Sequence, residues 1–165
     1  MQFIKSLKFA IKGIVHCINN ERNMRIHTVA TLYVLLFSRF FNFSPRDYAI
    51  LALTICVVLM SEMFNTAIER MCDMSSNGYS LIIKIVKDIA AGAVLVSALT
   101  ALFVAICLFN DINSYIDIYR YFSQNILSFV LLLVSIAISC IYIGFGSSKL
   151  KSGYKIVENI KNKEK

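Results

Sequence analysis

Four polar side chains stand out in an otherwise apolar stretch: Glu62, Asn65, Glu69 and Asp73, at intervals of three, four and four residues. At ~100° per residue these positions share one narrow stripe of an α-helix. A carboxylate within or beside hydrocarbon costs roughly 2.5–3.5 kcal/mol on insertion scales, so a face that repeats it is expected to have a use. Downstream, Lys84, Lys87 and Asp88 precede Ala90-Ala91-Gly92-Ala93, small residues that let two helices approach closely in lipid. Close approach would set Lys87 and Asp88 beside Glu69 and Asp73, with Glu21 and Arg25 at the same depth. Two or three carboxylates hold Mg²⁺ through oxygen ligands, and a neighbouring lysine neutralises phosphate. Glu62 lies about two helical turns deeper than Glu69, where a buried lipid alcohol could present its hydroxyl to a general base. The residues therefore suit metal-dependent phosphate chemistry in a membrane. The plainer alternative is a polar seam or salt-bridge ladder between helices. Against it stands the shortage of cations at matching depth, since Arg70, Lys84 and Lys87 all sit at the edge of the apolar run.

The elements that must position this stripe follow from hydropathy. Of 165 residues, 58% are apolar and 16% charged, against about one-quarter charged in ordinary soluble domains. The apolar excess is gathered into long runs, which read as membrane segments. Ile4, Leu7, Ile11, Ile14, Val15 and Ile18 recur at helical spacing, with Lys5, Lys8 and Lys12 together elsewhere on the wheel. That pattern predicts an amphipathic surface helix with a cationic face. A polar turn at 19–23 follows, then four apolar spans at 26–43, 48–69, 84–109 and 125–143. The sole proline, Pro45, marks the turn after the first span. The second span continues as a polar helix to Asp73, and residues 74–80 form a Ser/Asn/Gly loop. The polar, tyrosine-rich stretch 111–124 predicts a short interfacial helix, with Tyr115, Tyr119 and Tyr121 in an aromatic belt. Residues 144–165 read as a basic tail. Lys and Arg gather at the N-terminal helix, around 70–87 and in the tail, where six lysines follow Ser148. Both termini and the central loop are therefore expected on the cytoplasmic face.

Several classes are disfavoured. The net charge of +7 is not accompanied by basic residues interleaved with aromatics, so no nucleic-acid partner is expected. The five cysteines lack metal-ligand spacing and read as small apolar residues. His16 and His27 read as interfacial residues rather than metal ligands. No secretory leader is expected, because the first twenty residues alternate lysines with apolar side chains. There is no GxxxxGK[ST] loop and no kinase-type Gly-rich loop, so a bound nucleotide would need another cradle.

The segments Glu62-Met-Phe-Asn65-Thr-Ala-Ile-Glu69, Asp73, and Lys87-Asp88-Ile-Ala-Ala-Gly-Ala-Val94 resemble the bacterial integral-membrane diacylglycerol kinase family. Phe9-Ala-Ile-Lys-Gly13 and Asn20-Glu21 fit the same pattern. Asn23-Met-Arg25-Ile-His27 is similar to the Gram-positive branch, whose members act chiefly as undecaprenol kinases. The resemblance covers roughly residues 1–109. It implies a homotrimer of three-span subunits with a surface helix and sites at the cytoplasmic interface. It implies Glu62 as catalytic base, with Asn65 near the reacting groups. Glu21 and Glu69 would be magnesium-binding carboxylates. Phe9, Asp73, Gly78, Tyr79, Ser80, Lys87 and Asp88 would contact the nucleotide, while Lys12 and Arg25 would meet the lipid together with Glu62. The chain departs from the family where Gln2 replaces an arginine, where His27 replaces a carboxylate, and in its fourth span and tail.

The expectation is thus an all-α membrane protein: an amphipathic surface helix, three family-type transmembrane helices and a fourth, C-terminal one. Residues 1–110 would form the kinase-like domain, and 111–165 a connection, extra helix and basic tail. The expected activity is ATP-dependent, Mg²⁺-assisted phosphorylation of a membrane lipid alcohol at the bacterial inner membrane. Undecaprenol is the first choice and diacylglycerol the alternative. A small ion-coupled transporter and a non-catalytic assembly subunit are the readings from other classes.

Overall fold

Local sequence signals account for most of the helix boundaries. The computed structural model describes residues 2–75 and 80–163, and all regular structure among them is helical. The periodic N-terminal segment forms α1 (Gln2–Asn20). Asn20 ends α1 by donating from its side-chain amide to the His16 carbonyl at 2.8 Å. Only Glu21 separates α1 from α2 (Arg22–Phe37). Its amide donates to the Cys17 carbonyl at 2.8 Å, and the Arg25 amide donates to the Glu21 carbonyl at 3.3 Å. Hydrogen bonding thus passes through the break, and the polar turn expected over 19–23 shrinks to one residue.

The first expected span, 26–43, is shorter than read. α2 has 16 residues, about 24 Å at 1.5 Å per residue, whereas spanning hydrocarbon takes about 20 residues. A 3₁₀ turn follows at Ser38–Phe40, with the Ser38 hydroxyl donating to the Leu35 carbonyl at 2.9 Å. Phe41 is then buried, its ring 4.8 Å from that of Phe109 and 5.3 Å from that of Tyr115. These edge-on contacts hold 41–43 in a packed turn instead of a further helical turn.

Ser44-Pro45-Arg46-Asp47, expected as a turn before a span at 48–69, opens α3 (Pro45–Ser75) itself. Pro45 occupies the first helical position, where its missing N–H removes no helix bond. The Asp47 carboxylate accepts from the Ser44 amide at 2.8 Å and from its hydroxyl at 2.7 Å, a reciprocal capping arrangement. α4 (Leu81–Leu108) runs antiparallel to α3. Ser61 meets Ser97 near the middle, and Asp73 meets Lys87 near one end. The buried positions on α3 include Leu51, Val58, Glu62 and Asn65, and those on α4 are Ala90 and Ser97, two turns apart. Ala90 supplies the close approach expected of the small-residue run. Gly92 does not, since a Cβ built there would meet nothing within 4 Å.

The Ser61 and Ser97 hydroxyls lie 2.7 Å apart, and each is 2.8 Å from a carbonyl of its own helix, Val58 or Val94. With one proton apiece, one hydroxyl donates across the helix pair while the other donates along its helix. Replacing Ser97 by Ala is expected to destabilise the pair by about 0.6 kcal/mol, the average for interhelical hydrogen bonds in membranes. A double-mutant cycle with Ser61→Ala, read by denaturant titration in micelles, checks this. Zero coupling would mean that the contact contributes nothing.

Asp111 caps α5 (Ile112–Gln124), accepting from the Ser114 hydroxyl at 2.7 Å and the Asn113 amide at 3.1 Å. Those donors, Ser114 first, hold its carboxyl below the ordinary aspartate range. α5 docks on the 3₁₀ turn through rings: Tyr121 lies 5.4 Å from Phe40, and Phe122 lies 6.3 Å from Phe40. α6 (Ile126–Lys163) continues well beyond the expected end of the fourth span.

Among the described residues, three helices are long and apolar enough to cross a membrane: α3, α4 and the Ile126–Gly144 part of α6. The protein is an all-α membrane protein. Its chain divides into two compact units, His27–Ile126 and the paired ends Met1–Ile26 with Leu127–Lys165.

Candidate active site

The α3 stripe is graded in burial. Glu62 is 2% exposed and Asn65 8%, Glu69 is half-buried and Asp73 is exposed. The stripe spans about 16 Å along the helix axis from Glu62 to Asp73. Asn65 Nδ2 donates to Glu69 Oε1 at 3.2 Å, linking the buried and half-buried parts. The Asn65 Oδ1 atom is buried without a hydrogen-bond donor among the described residues. A buried amide oxygen left this way is an open acceptor.

At the exposed end, Lys87 Nζ donates to Asp73 Oδ1 at 2.5 Å, so α4 delivers its ammonium to the α3 stripe as expected. A pair this open to water contributes little to stability. Its consequence is positional: a cation is held where the row of carboxylates ends. Asp88 is exposed and lies about 100° around α4 from Lys87, so the two side chains leave the helix in different directions. Ser80 precedes α4 in extended backbone and makes no side-chain cap. Gly78 and Tyr79 lie outside the described residues.

Phe9, Lys12, Glu21 and Arg25 belong to the other unit. On α1 the Lys12 ammonium stands 5.9 Å from the centre of the Phe9 ring, and both residues are exposed. Glu21 is half-buried in the break between helices. Arg25 is 1% exposed. Its Nη1 donates to the Asn19 carbonyl at 2.9 Å, while Nε and Nη2 have no hydrogen-bond acceptor among the described residues. A buried guanidinium with idle donors is suited to an anionic or oxygen-rich ligand. Among the described residues no three His, Cys, Asp or Glu side chains converge tightly enough to hold a metal by themselves.

Residues 8–109 match the family model described as prokaryotic diacylglycerol kinase. The chain belongs to that family. A diacylglycerol kinase of Synechocystis sp. is 38% identical over 104 residues, 62% of this chain and 59% of that protein. The chain thus spans less than two thirds of that relative. An undecaprenol kinase of Bacillus subtilis is 32% identical over 108 residues, 66% of this chain and 88% of that protein. No solved structure matches the chain significantly. The family match stops at residue 109, so α5 and α6 lie beyond it.

Within this prokaryotic diacylglycerol kinase-family chain, sequence reasoning missed Ser61, Thr66 and Ser97. Thr66 is 5% exposed beside Asn65 on α3, and Ser97 is 6% exposed on α4. Ser97 did carry a signal: it is the first polar side chain after Asp88 in an unbroken apolar run. Such a hydroxyl in a span is expected to find a partner on a neighbouring helix.

Proposed function

We propose that the protein is an ATP-dependent lipid kinase that transfers the γ-phosphoryl group to the hydroxyl of a membrane lipid alcohol. The observation that carries this reading is the graded α3 stripe, from a fully buried carboxyl at Glu62 to a lysine-tethered carboxylate at Asp73. A buried base beside an apolar acceptor and a charged end facing water are what the two substrates require.

Glu62 accepts the hydroxyl proton as the lipid oxygen bonds to the γ-phosphorus and the bond to the β-phosphate oxygen breaks, releasing ADP. Asn65 orients Glu69 through its amide and offers its free oxygen to the reacting groups. Glu69 and Glu21 are the carboxylates that would hold magnesium, which would offset the charge of the ATP phosphates. That donor set fits the ion, because Mg²⁺ is usually held by one or two carboxylates plus phosphates and water. Lys87 neutralises phosphate charge, with Asp73, Asp88, Phe9, Gly78, Tyr79 and Ser80 completing the nucleotide site. Arg25 and Lys12 meet the lipid. Little covalent chemistry is asked of the protein, so positioning and charge neutralisation carry most of the acceleration.

Undecaprenol is the preferred acceptor in this reading. It is supported by the matched share of the Bacillus undecaprenol kinase and by His27 in the Asn23–His27 segment. Diacylglycerol is the second reading, favoured by the name of the Synechocystis relative. Residues 1–110 form the kinase-like domain. The protein works as a homotrimer in the bacterial inner membrane with both termini cytoplasmic, so one subunit's α1 can complete a neighbour's site.

Purified protein given labelled ATP, Mg²⁺ and both lipids in the same micelles should label undecaprenol faster than diacylglycerol. Preferential labelling of diacylglycerol would reverse the assignment of substrate. Labelling of neither, with ion flux in liposomes, would replace the kinase reading by a transporter.

A further inference from the structure

We infer that α2, α3 and α4 form a track for the hydrocarbon chain of the lipid alcohol, one strand wide, which selects a long polyisoprenoid alcohol over a two-chain glyceride. The inference rests on the kinase reading and adds a binding site to it.

The track is made of two adjoining hollows in the His27–Ile126 unit. The first is a partly open cavity of about 130 Å³ lined by α2, α3 and α4. One end is bounded by His27, Val58 and Ala101, and the other by Val34, Leu51 and Ala105. Val58 stands one helical turn from Glu62 on α3, so the cavity begins beside the buried carboxyl. The second hollow is an open groove of about 550 Å³ along α2 and α4 that reaches α5. Val34 and Ala105 line both, so the groove takes over where the cavity ends. It continues past Phe37 and Ile106 to Phe109, with Asn110 and Tyr115 at its far rim.

Length, width and chemistry point to the same occupant. Ser97, opposite Ser61, marks the level of the carboxyl on α4. From there to Phe109 is twelve residues, about 18 Å of helix, more than half of a ~30 Å hydrocarbon core. A chain whose hydroxyl meets Glu62 can therefore lie along the protein to the far interface. The cavity is well below the ~300 Å³ at which compact ligand pockets begin, which leaves room for one slender chain. A glyceride presenting its hydroxyl to Glu62 would thread one acyl chain and leave the second outside. The walls suit hydrocarbon even where a hydroxyl occurs. Thr54 donates to the Ile50 carbonyl of its own helix at 2.8 Å, so its proton is committed there. His27 lies beside the site and Asn110 with Tyr115 at the rim, and between them the hydroxyl-bearing Thr31, Tyr33 and Thr54 are outnumbered by aliphatic side chains and Phe37.

Ala105, at the junction of cavity and groove, is the residue to change. A graded series, Ala105→Val, Leu and Phe, narrows the neck without touching the carboxylates. Each variant would be assayed on undecaprenol and on geraniol, a short prenol that ends before the neck. The readout is the ratio of kcat/KM for the long to the short alcohol. It is expected to fall stepwise along the series, by about tenfold or more at the bulkiest variant that stays folded, as excluding methylenes from an apolar site does. Valine adds little volume, so the series retains a folded member. A ratio unchanged in folded variants would overturn the track and leave the groove to bulk lipid chains. An unmodified protein that phosphorylates diacylglycerol but neither prenol would also overturn the track, whereas one that phosphorylates none of the three would overturn the kinase reading beneath it.

Discussion

Replacing Glu62 by glutamine is expected to lower lipid phosphorylation by about 10²- to 10⁴-fold, the usual worth of a positioned general base, while leaving expression and nucleotide affinity nearly intact. The substitution keeps the shape of the side chain, which matters because the position is 2% exposed. It removes only the capacity to take a proton. The amide replaces a buried acid in an apolar setting, so no new charge is buried and little destabilisation is expected. The loss should therefore appear in kcat with little change in the KM for ATP, the signature of an interaction made in the transition state. Steady-state kinetics with lipid and ATP varied independently, beside a thermal melt, make the measurement. Undiminished turnover in a folded Glu62→Gln protein would remove this residue from the chemistry.

The position of that carboxyl was legible in the sequence because helical geometry leaves little freedom. Residues 62, 65, 69 and 73 must share a face of any helix, and polar groups on a spanning helix must face protein. The proline-marked turn at Ser44–Asp47 and the tyrosine-rich α5 were legible for similar local reasons: each is decided by a few neighbouring residues. What the sequence hid depends on contacts between distant segments. Residues 26–43 have the hydropathy of a full span, and only the rings of Phe109 and Tyr115 bring Phe41 into a turn instead. The run Ala90-Ala91-Gly92-Ala93 offered four small residues, and which of them faces α3 depends on the rotation of α4; Ala90 does and Gly92 does not. Ser61 and Ser97 needed the register of two antiparallel helices before either could name the other. The hollow between α2, α3 and α4 required all three helices to be placed, and no local pattern encodes a void.

Replacing Glu69 by glutamine should separate the metal role from the proton role on the same helix. Glu69 stands two turns from Glu62 toward the exposed end, and its Oε1 already accepts from Asn65 at 3.2 Å. Glutamine retains an oxygen for that bond, so the local fold has no reason to change. The missing element is the negative charge, and a neutral amide is a much poorer magnesium ligand than a carboxylate. Affinity for Mg-ATP is expected to fall by at least about tenfold to a hundredfold, since removing even an outer-sphere partner of a metal ligand costs that much. The defect should be eased by raising free magnesium, which no loss of a general base would allow. Titrating nucleotide binding at several magnesium concentrations in Glu62→Gln and Glu69→Gln side by side gives the decisive contrast. Affinity should be magnesium-sensitive and weak in the second variant but near normal in the first. If Glu69→Gln binds the nucleotide as tightly as the unmodified protein at every magnesium level, the metal must be held elsewhere. The stripe would then serve the acceptor alone.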